Sequence, residues 1–70
     1  ALVEALKSWR RQTARSADVP AYVVFHDTTL EAVAAARPTN RAELLAISGI
    51  GKVKAERFGD QLLEVVRTAG

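Results

Sequence analysis

Residues 44–59, LLAISGIGKVKAERFG, are the stretch around which the rest of the chain can be placed. Their apolar and glycine positions predict a short helix, a tight turn at residues 48–51 and a second short helix. Gly49 and Gly51 are expected where φ is positive or where the backbone is approached closely. Ile50 between them is predicted to fix the hairpin to the core, and Gly59 to end the second helix.

The second helix of this hairpin begins in a way that favours phosphate binding. A helix N-terminus offers free N–H groups and a partial positive charge, and Lys52 and Lys54 lie beside it in the sequence. The pattern resembles the helix-hairpin-helix motif, which grips nucleic-acid backbones without reading their sequence. The same turn could serve only to reverse the chain, so this stretch alone leaves both interpretations open.

Length and composition limit the possible functions. Seventy residues predict a single domain, residues 1–70, with a small core. The absence of cysteine excludes thiolate metal sites, and one histidine cannot build a zinc site alone, so we predict no metal and no cofactor. No apolar run approaches the roughly 20 residues that span a bilayer, so we predict no membrane partner. We expect a domain cut from a longer protein, cytoplasmic and nucleoid-associated if bacterial, or nuclear if eukaryotic.

The distribution of charge is more informative than the net charge of +2. Residues 1–36 balance to zero, whereas residues 37–57 carry five basic side chains against two acidic ones. Positive charge is therefore concentrated around the hairpin, which is typical of a nucleic-acid contact.

Apolar spacing predicts helices on both sides of a less regular connector. Spacings of three and four residues predict a first helix that ends near residues 16–18, because Pro20 disfavours helical geometry before it. Residues 19–26, VPAYVVFH, have strand-like composition but no partner strand, so we predict an extended or 3₁₀ connector with some of its apolar side chains buried.

Capping signals predict the remaining helices. Asp27 or Thr28 is expected to cap the next helix, which should end near residues 36–37 because of Pro38. Asn40 should cap a third helix that leads into the hairpin, and Asp60 a last helix after Gly59. Together these signals predict an all-α fold, a compact and monomeric five-helix bundle in which two helices are very short. The side chains predicted to be buried are Leu6, Trp9, Leu30, Leu44, Ile50 and Leu63.

Few residues could carry catalysis, whereas several could contact nucleic acid. No serine, cysteine or paired-carboxylate arrangement is evident, and His26 is expected to be a loop residue, so we predict no enzyme activity for the domain itself. Tyr22 could stack on a base of a single strand, or be a half-buried tyrosine. Trp9 is assigned to the core, with base stacking as its alternative. The predicted phosphate contacts are Arg10, Arg11, Arg15, Lys52 and Lys54, although those on the first helix could also form a solvated face.

Taken together, the chain resembles an HRDC domain, the helicase-and-RNase-D C-terminal module. The resemblance covers nearly the whole length and is carried by Leu6, Trp9-Arg10, Val19-Pro20-Ala21-Tyr22-Val23-Val24-Phe25, Asp27, Thr29-Leu30, Pro38-Thr39, Glu43-Leu44-Leu45, Ile47, Gly49-Ile50-Gly51, Lys54 and Phe58-Gly59.

The resemblance implies a small helical accessory module of a nucleic-acid enzyme. Members of the family accompany RecQ-type and UvrD-like DNA helicases, with roles in DNA repair, and RNase D-type exonucleases. Tyr22 matches a tyrosine that contacts single-stranded DNA in bacterial RecQ-like members, although Ala21 stands where a second proline is common. We therefore expect the accessory DNA-binding module of an ATP-dependent helicase, contacting single-stranded, partly duplex or junction DNA. The alternative is a protein-interaction module that docks on its own helicase core or on a partner.

Overall fold

The apolar stripe at the start of the chain forms α1, Leu2–Ala17, in a computed structural model that describes residues 1–70. Leu2, Leu6 and Ala14 are buried on its inner face. The helix ends at Asp18, whose φ of 56° is left-handed and whose N–H donates to carbonyl oxygens of the last turn. This end agrees with the prediction made from Pro20.

Four further helices follow, so the chain is an all-α bundle of five helices, as predicted. They are α2 (Ala21–Val24), α3 (Asp27–Ala36), α4 (Arg41–Leu45) and α5 (Lys52–Ala69). Helix α1 packs against α2, α3 and α5, while α4 packs on α5. None of the helices combines the length and the hydropathy needed to cross a membrane.

The five helices are not the five that the sequence predicted. Residues 21–24 form a one-turn helix in the predicted connector, and the break predicted at Gly59 is wrong, because α5 continues through it. Gly59 is buried, and a Cβ built there would lie 3.5 Å from Leu44 Cδ1. Gly59 therefore lies inside α5, on the face that packs against α4, and does not end the helix.

The predicted helix boundaries between α2 and α4 are partly confirmed. Helix α3 begins with His26 as its N-cap and no side-chain cap, so the cap predicted at Asp27 or Thr28 is wrong. It ends at Ala36, as Pro38 predicted. The cap at Asn40 is confirmed, since its Oδ1 accepts a hydrogen bond of 2.9 Å from the Glu43 N–H.

Thirteen apolar side chains form one core: Leu2, Leu6, Ala14, Val24, Phe25, Leu30, Val33, Leu44, Ile47, Ile50, Ala55, Leu62 and Val66. Four of the six predicted core residues are among them, but Trp9 and Leu63 are only partly buried. Leu62 is fully buried where Leu63 was predicted. The continuous α5 puts Ala55, Gly59 and Leu62 on one face, a line that a helix starting at Asp60 would not have.

Trp9 lies at the edge of the core in an aromatic cluster. Its ring centroid is 5.7 Å from that of Phe58, edge-on, and 6.1 Å from that of Phe25. Its Nε1–H donates to Gln61 Oε1 over 2.9 Å. Trp9 thus joins α1 to α5 and to the residues that follow α2.

Candidate nucleic-acid interface

Tyr22 is displayed on α2, with 62% of its surface exposed. Pro20 begins the turn in an extended conformation, and its carbonyl oxygen accepts from the Val23 N–H. Val24 and Phe25 are buried and fix the other end of the turn in the core. Because the buried pair faces inward, the residues before it, Tyr22 and Val23, face solvent.

Two basic side chains bind the carbonyl end of α2. Lys54 Nζ donates to the carbonyl oxygens of Val23 (3.0 Å) and Val24 (2.7 Å), and Arg10 Nη1 donates to that of Phe25 (2.8 Å). Lys54 Nζ also lies 5.1 Å from the centroid of the Phe25 ring. We call these two cations and the three carbonyl groups the α2 clamp.

Arg10 also connects the α2 clamp to α3. Its Nη2 lies 2.7 Å from Asp27 Oδ1, and only 12% of its side chain is exposed. The hydrogen bond from Arg10, together with its charge, lowers the pKa of Asp27 below its ordinary value. Arg10 Nε is buried without a partner. The two terminal nitrogens of this guanidinium, in contrast, both have partners within the fold: Nη1 binds the Phe25 carbonyl and Nη2 binds Asp27.

His26 extends the aromatic surface beside Tyr22. The two rings are nearly parallel, with planes 24° apart and centroids separated by 6.3 Å. They line one shallow depression with Arg10, Asp27 and other residues of the α2–α3 corner. His26 was predicted to be a loop residue, and this is confirmed, because it lies between α2 and α3 in an extended conformation. No sequence pattern signals that its ring lies beside Tyr22, because Phe25 and His26 between α2 and α3 are extended and helical spacing does not apply to them.

The other predicted phosphate contacts are free side chains. Arg11 and Arg15 lie four residues apart on exposed positions of α1, and Lys52 is exposed at the first position of α5. None of the three forms a salt bridge or a side-chain hydrogen bond. Of the six predicted site residues, the structure thus brings Tyr22, Arg10 and Lys54 to one corner and leaves the other three as free cations.

The hairpin between α4 and α5 depends on one glycine. Gly49 has φ of +95°, and a Cβ there would overlap Thr29 Oγ1, so both predicted reasons for glycine hold. The same prediction for Gly51 is wrong, because its φ is −85° and a Cβ would meet nothing within 4 Å. Ile50 is buried, as predicted. Lys52 follows Gly51 and is the first residue of α5. The backbone N–H groups of this first turn have no acceptor within the helix.

A second depression next to the Tyr22 corner is largely apolar. Val19, Val23, Val53 and Phe58 line it, and Val53 is 74% exposed while Val23 is 46% exposed. Arg57, at its border, lies 5.4 Å from the Phe58 ring centroid. This surface pairs uncovered apolar area with positive charge.

Comparison with known proteins gives one consistent family. The family model described as HRDC domain matches residues 1–66. The ATP-dependent DNA helicase UvrD2 of Mycobacterium tuberculosis (strain ATCC 25618 / H37Rv) is 55% identical over 62 residues, which are 89% of this chain and 9% of that protein. The ATP-dependent DNA helicase RecQ of Pasteurella multocida is 42% identical over 62 residues, 89% of this chain and 10% of that protein.

A solved structure shows the same fold. The chain is similar to D. radiodurans RecQ HRDC domain 3, with a TM-score of 0.94 and 38% identity, covering 97% of this chain and 90% of that one. By contrast, the chain spans about a tenth of the length of the helicases that it matches.

Proposed function

The chain belongs to the HRDC family, and on that premise we propose that it is the accessory module with which an ATP-dependent DNA helicase holds single-stranded or partly duplex DNA. The exposed Tyr22 on α2 is the observation that carries the proposal. Bases stack on exposed aromatic rings, and the nearly parallel ring of His26 extends the surface available to them.

In this proposal, free cations supply the backbone contacts. Arg11, Arg15 and Lys52 are exposed and unpaired, so they can meet phosphates without giving up a partner. The domain itself carries out no chemistry and acts as a monomer in the compartment where the parent enzyme meets DNA.

Binding measured as a function of salt tests the phosphate contacts. With about three contacts, the slope of log affinity against log salt for a single strand is about −2, so raising salt from about 50 to 200 mM weakens binding roughly 20-fold. Arg11→Ala should flatten that slope by about 0.7. A slope near zero for the unaltered domain would contradict the proposed phosphate contacts.

The stacking contact has a different signature. Tyr22→Ala should weaken binding by roughly 1–3 kcal/mol and leave the salt slope unchanged, because it removes no charge. Tyr22→Phe is the matched control, since it keeps the ring and should keep most of the affinity. Because Tyr22 is exposed, both variants should unfold at the same denaturant concentration as the original. Equal affinity of all three proteins would exclude the stacking role.

A second candidate function is docking on the parent helicase core or on a partner protein. The depression lined by Val19, Val23 and Val53 favours it, because uncovered apolar surface is typical of protein contacts. An NMR titration with a single-stranded oligonucleotide at low salt separates the two functions. Shifts at Tyr22 and the hairpin support DNA binding, and unchanged spectra support docking.

A further inference from the structure

The helix that carries Tyr22 cannot be stable by its own hydrogen bonds. Helix α2 is four residues long, and the carbonyl groups at the end of any helix have no partner within it. Here the α2 clamp supplies those partners from two other helices, Arg10 from α1 and Lys54 from α5. Positive charge at a helix C-terminus also interacts favourably with its dipole.

Both cations direct their donors toward backbone carbonyl groups of the protein and not toward solvent. Lys54 Nζ has three donors, of which two reach the carbonyl oxygens of Val23 and Val24. Arg10 is mostly buried and binds both Phe25 and Asp27. A phosphate could recruit either side chain only if these bonds were broken first. Lys52, two residues before Lys54, has no such partner.

We propose that Lys54, together with Arg10, is a positioning residue that fixes the backbone of α2, and thereby the Tyr22 ring, without touching DNA. This inference deepens the proposed function and rests on it. It departs from the sequence-based prediction that both cations contact phosphates. The link is direct, because the exposed Tyr22 side chain has the ring of His26 as its one aromatic neighbour, so its pose depends on the backbone beneath it.

A double-mutant cycle with salt titrations tests the inference. Lys54→Met keeps the aliphatic stem and removes the donors, and Lys52→Met is the matched control on the same turn of α5. Lys54→Met should weaken oligonucleotide binding several-fold, by no more than Tyr22→Ala does, with an unchanged salt slope. In the Tyr22→Ala background it should cause no further loss, because residues that act through one another are not additive.

The control should behave in the opposite way. Lys52→Met should flatten the salt slope by about 0.7 and should weaken oligonucleotide binding by the same factor in the original domain and in Tyr22→Ala. Lys54→Arg, which restores a donor to the carbonyl groups, should recover most of the affinity. If Lys54→Met flattens the slope and its loss is the same with and without Tyr22, Lys54 contacts phosphate and the inference is wrong.

A measurement on the free domain keeps this test separate from that of the proposed function. In Lys54→Met, the NMR signals of the Tyr22 ring should shift and the amides of residues 22–25 should exchange faster with solvent, with the rest of the spectrum retained. Unchanged signals would overturn the positioning role even if binding weakens. If these signals change but Tyr22→Ala binds normally, the clamp is real and the stacking contact is the part that fails.

Discussion

The hairpin between α4 and α5 can be compared with the corner between α2 and α3, which carries Tyr22 and is held by the α2 clamp. Both are short, but the contacts that stabilise them join residues at different distances along the chain. In the hairpin, Asn40 caps a helix through Glu43, three residues away, and the Ile50 N–H donates to the Ile47 carbonyl. In the corner, the α2 clamp joins residues 15, 30 and 31 positions apart.

This difference bears on how each region becomes ordered. A turn fixed by a cap and a left-handed glycine has its geometry specified locally, whereas α2 acquires partners for its carbonyl groups only when α1 and α5 are in place. We therefore expect Tyr22 to be ordered only in the folded domain, and the hairpin to be sensitive to single backbone substitutions.

The largest expected effect is at Gly49. Gly49→Ser should lower the free energy of unfolding by about 2–4 kcal/mol, because a side chain is strained at positive φ and its Cβ would overlap Thr29, a stiff and buried residue. Gly51→Ser is the matched control and should be neutral or slightly stabilising, since serine is a good N-cap. Equal urea midpoints for the two variants would show that Gly49 does not determine the hairpin.

Arg10→Met tests the corner by the same measurement. It should destabilise the domain by about 1–3 kcal/mol, because the Phe25 carbonyl loses its side-chain donor and the Asp27 carboxylate loses its ion-pair partner. The neighbouring Arg11→Met should stay within about 0.5 kcal/mol of the original, as expected for an exposed side chain. If both variants were equally stable, the long-range bonds of the corner would contribute little.

Local signals allowed much of the hairpin to be predicted. Asn40 with Glu43, Pro38 after α3, and Gly49 followed by Ile50 each follow rules that need only a few neighbouring residues. Gly51 and Gly59 were the exceptions within that region. Glycine is a common helix stop, and the packing of α5 against α4, which no local pattern contains, was not available to show that the helix continues through Gly59.

The corner could be predicted in composition but not in geometry. Tyr22 was predicted to stack on a base from its residue type and from the resemblance of the chain to the family; the side chain is exposed, and the stacking role stays a prediction. Arg10 and Lys54 were predicted to contact phosphates because they are basic. The charge of a side chain does not show which acceptor within the fold it binds. Their acceptors are backbone carbonyl groups distant in sequence, and such acceptors leave no mark on the sequence.

Gly59→Ala should have a smaller effect, of opposite sign to that at Gly49. It should raise the free energy of unfolding by about 0.5–1 kcal/mol, because alanine favours a helix interior and its Cβ would meet Leu44 at an ordinary contact distance of 3.5 Å. Gly59→Leu should instead destabilise, since the larger side chain collides with Leu44. A loss of stability in Gly59→Ala would mean that this position requires glycine itself.

The smallest expected effect concerns two ion pairs, Arg10–Asp27 in the corner and Arg67–Glu64 on α5. In each pair the basic partner's hydrogen bond and charge lower the pKa of the carboxyl group, from ordinary values of 3.8 for Asp27 and 4.5 for Glu64. A carboxylate with a lowered pKa stabilises the fold fully above its unfolded pKa. That contribution is lost as the pH falls through the folded pKa, because the protonated group no longer pairs.

Asp27→Asn and Glu64→Gln should therefore both be less stable than the original at neutral pH, and both differences should shrink as the pH is lowered below about 4. Salt should distinguish them. Arg67 is 70% exposed, so about 1 M NaCl should remove most of the Glu64→Gln difference by screening, as for other surface pairs. Arg10 is 12% exposed and is also held by the Phe25 carbonyl, but Asp27 itself is 62% exposed, so only part of the Asp27→Asn difference should persist. Urea unfolding at two salt concentrations measures both, and equal salt sensitivity would mean that the corner pair is no more sheltered than one on an open helix surface.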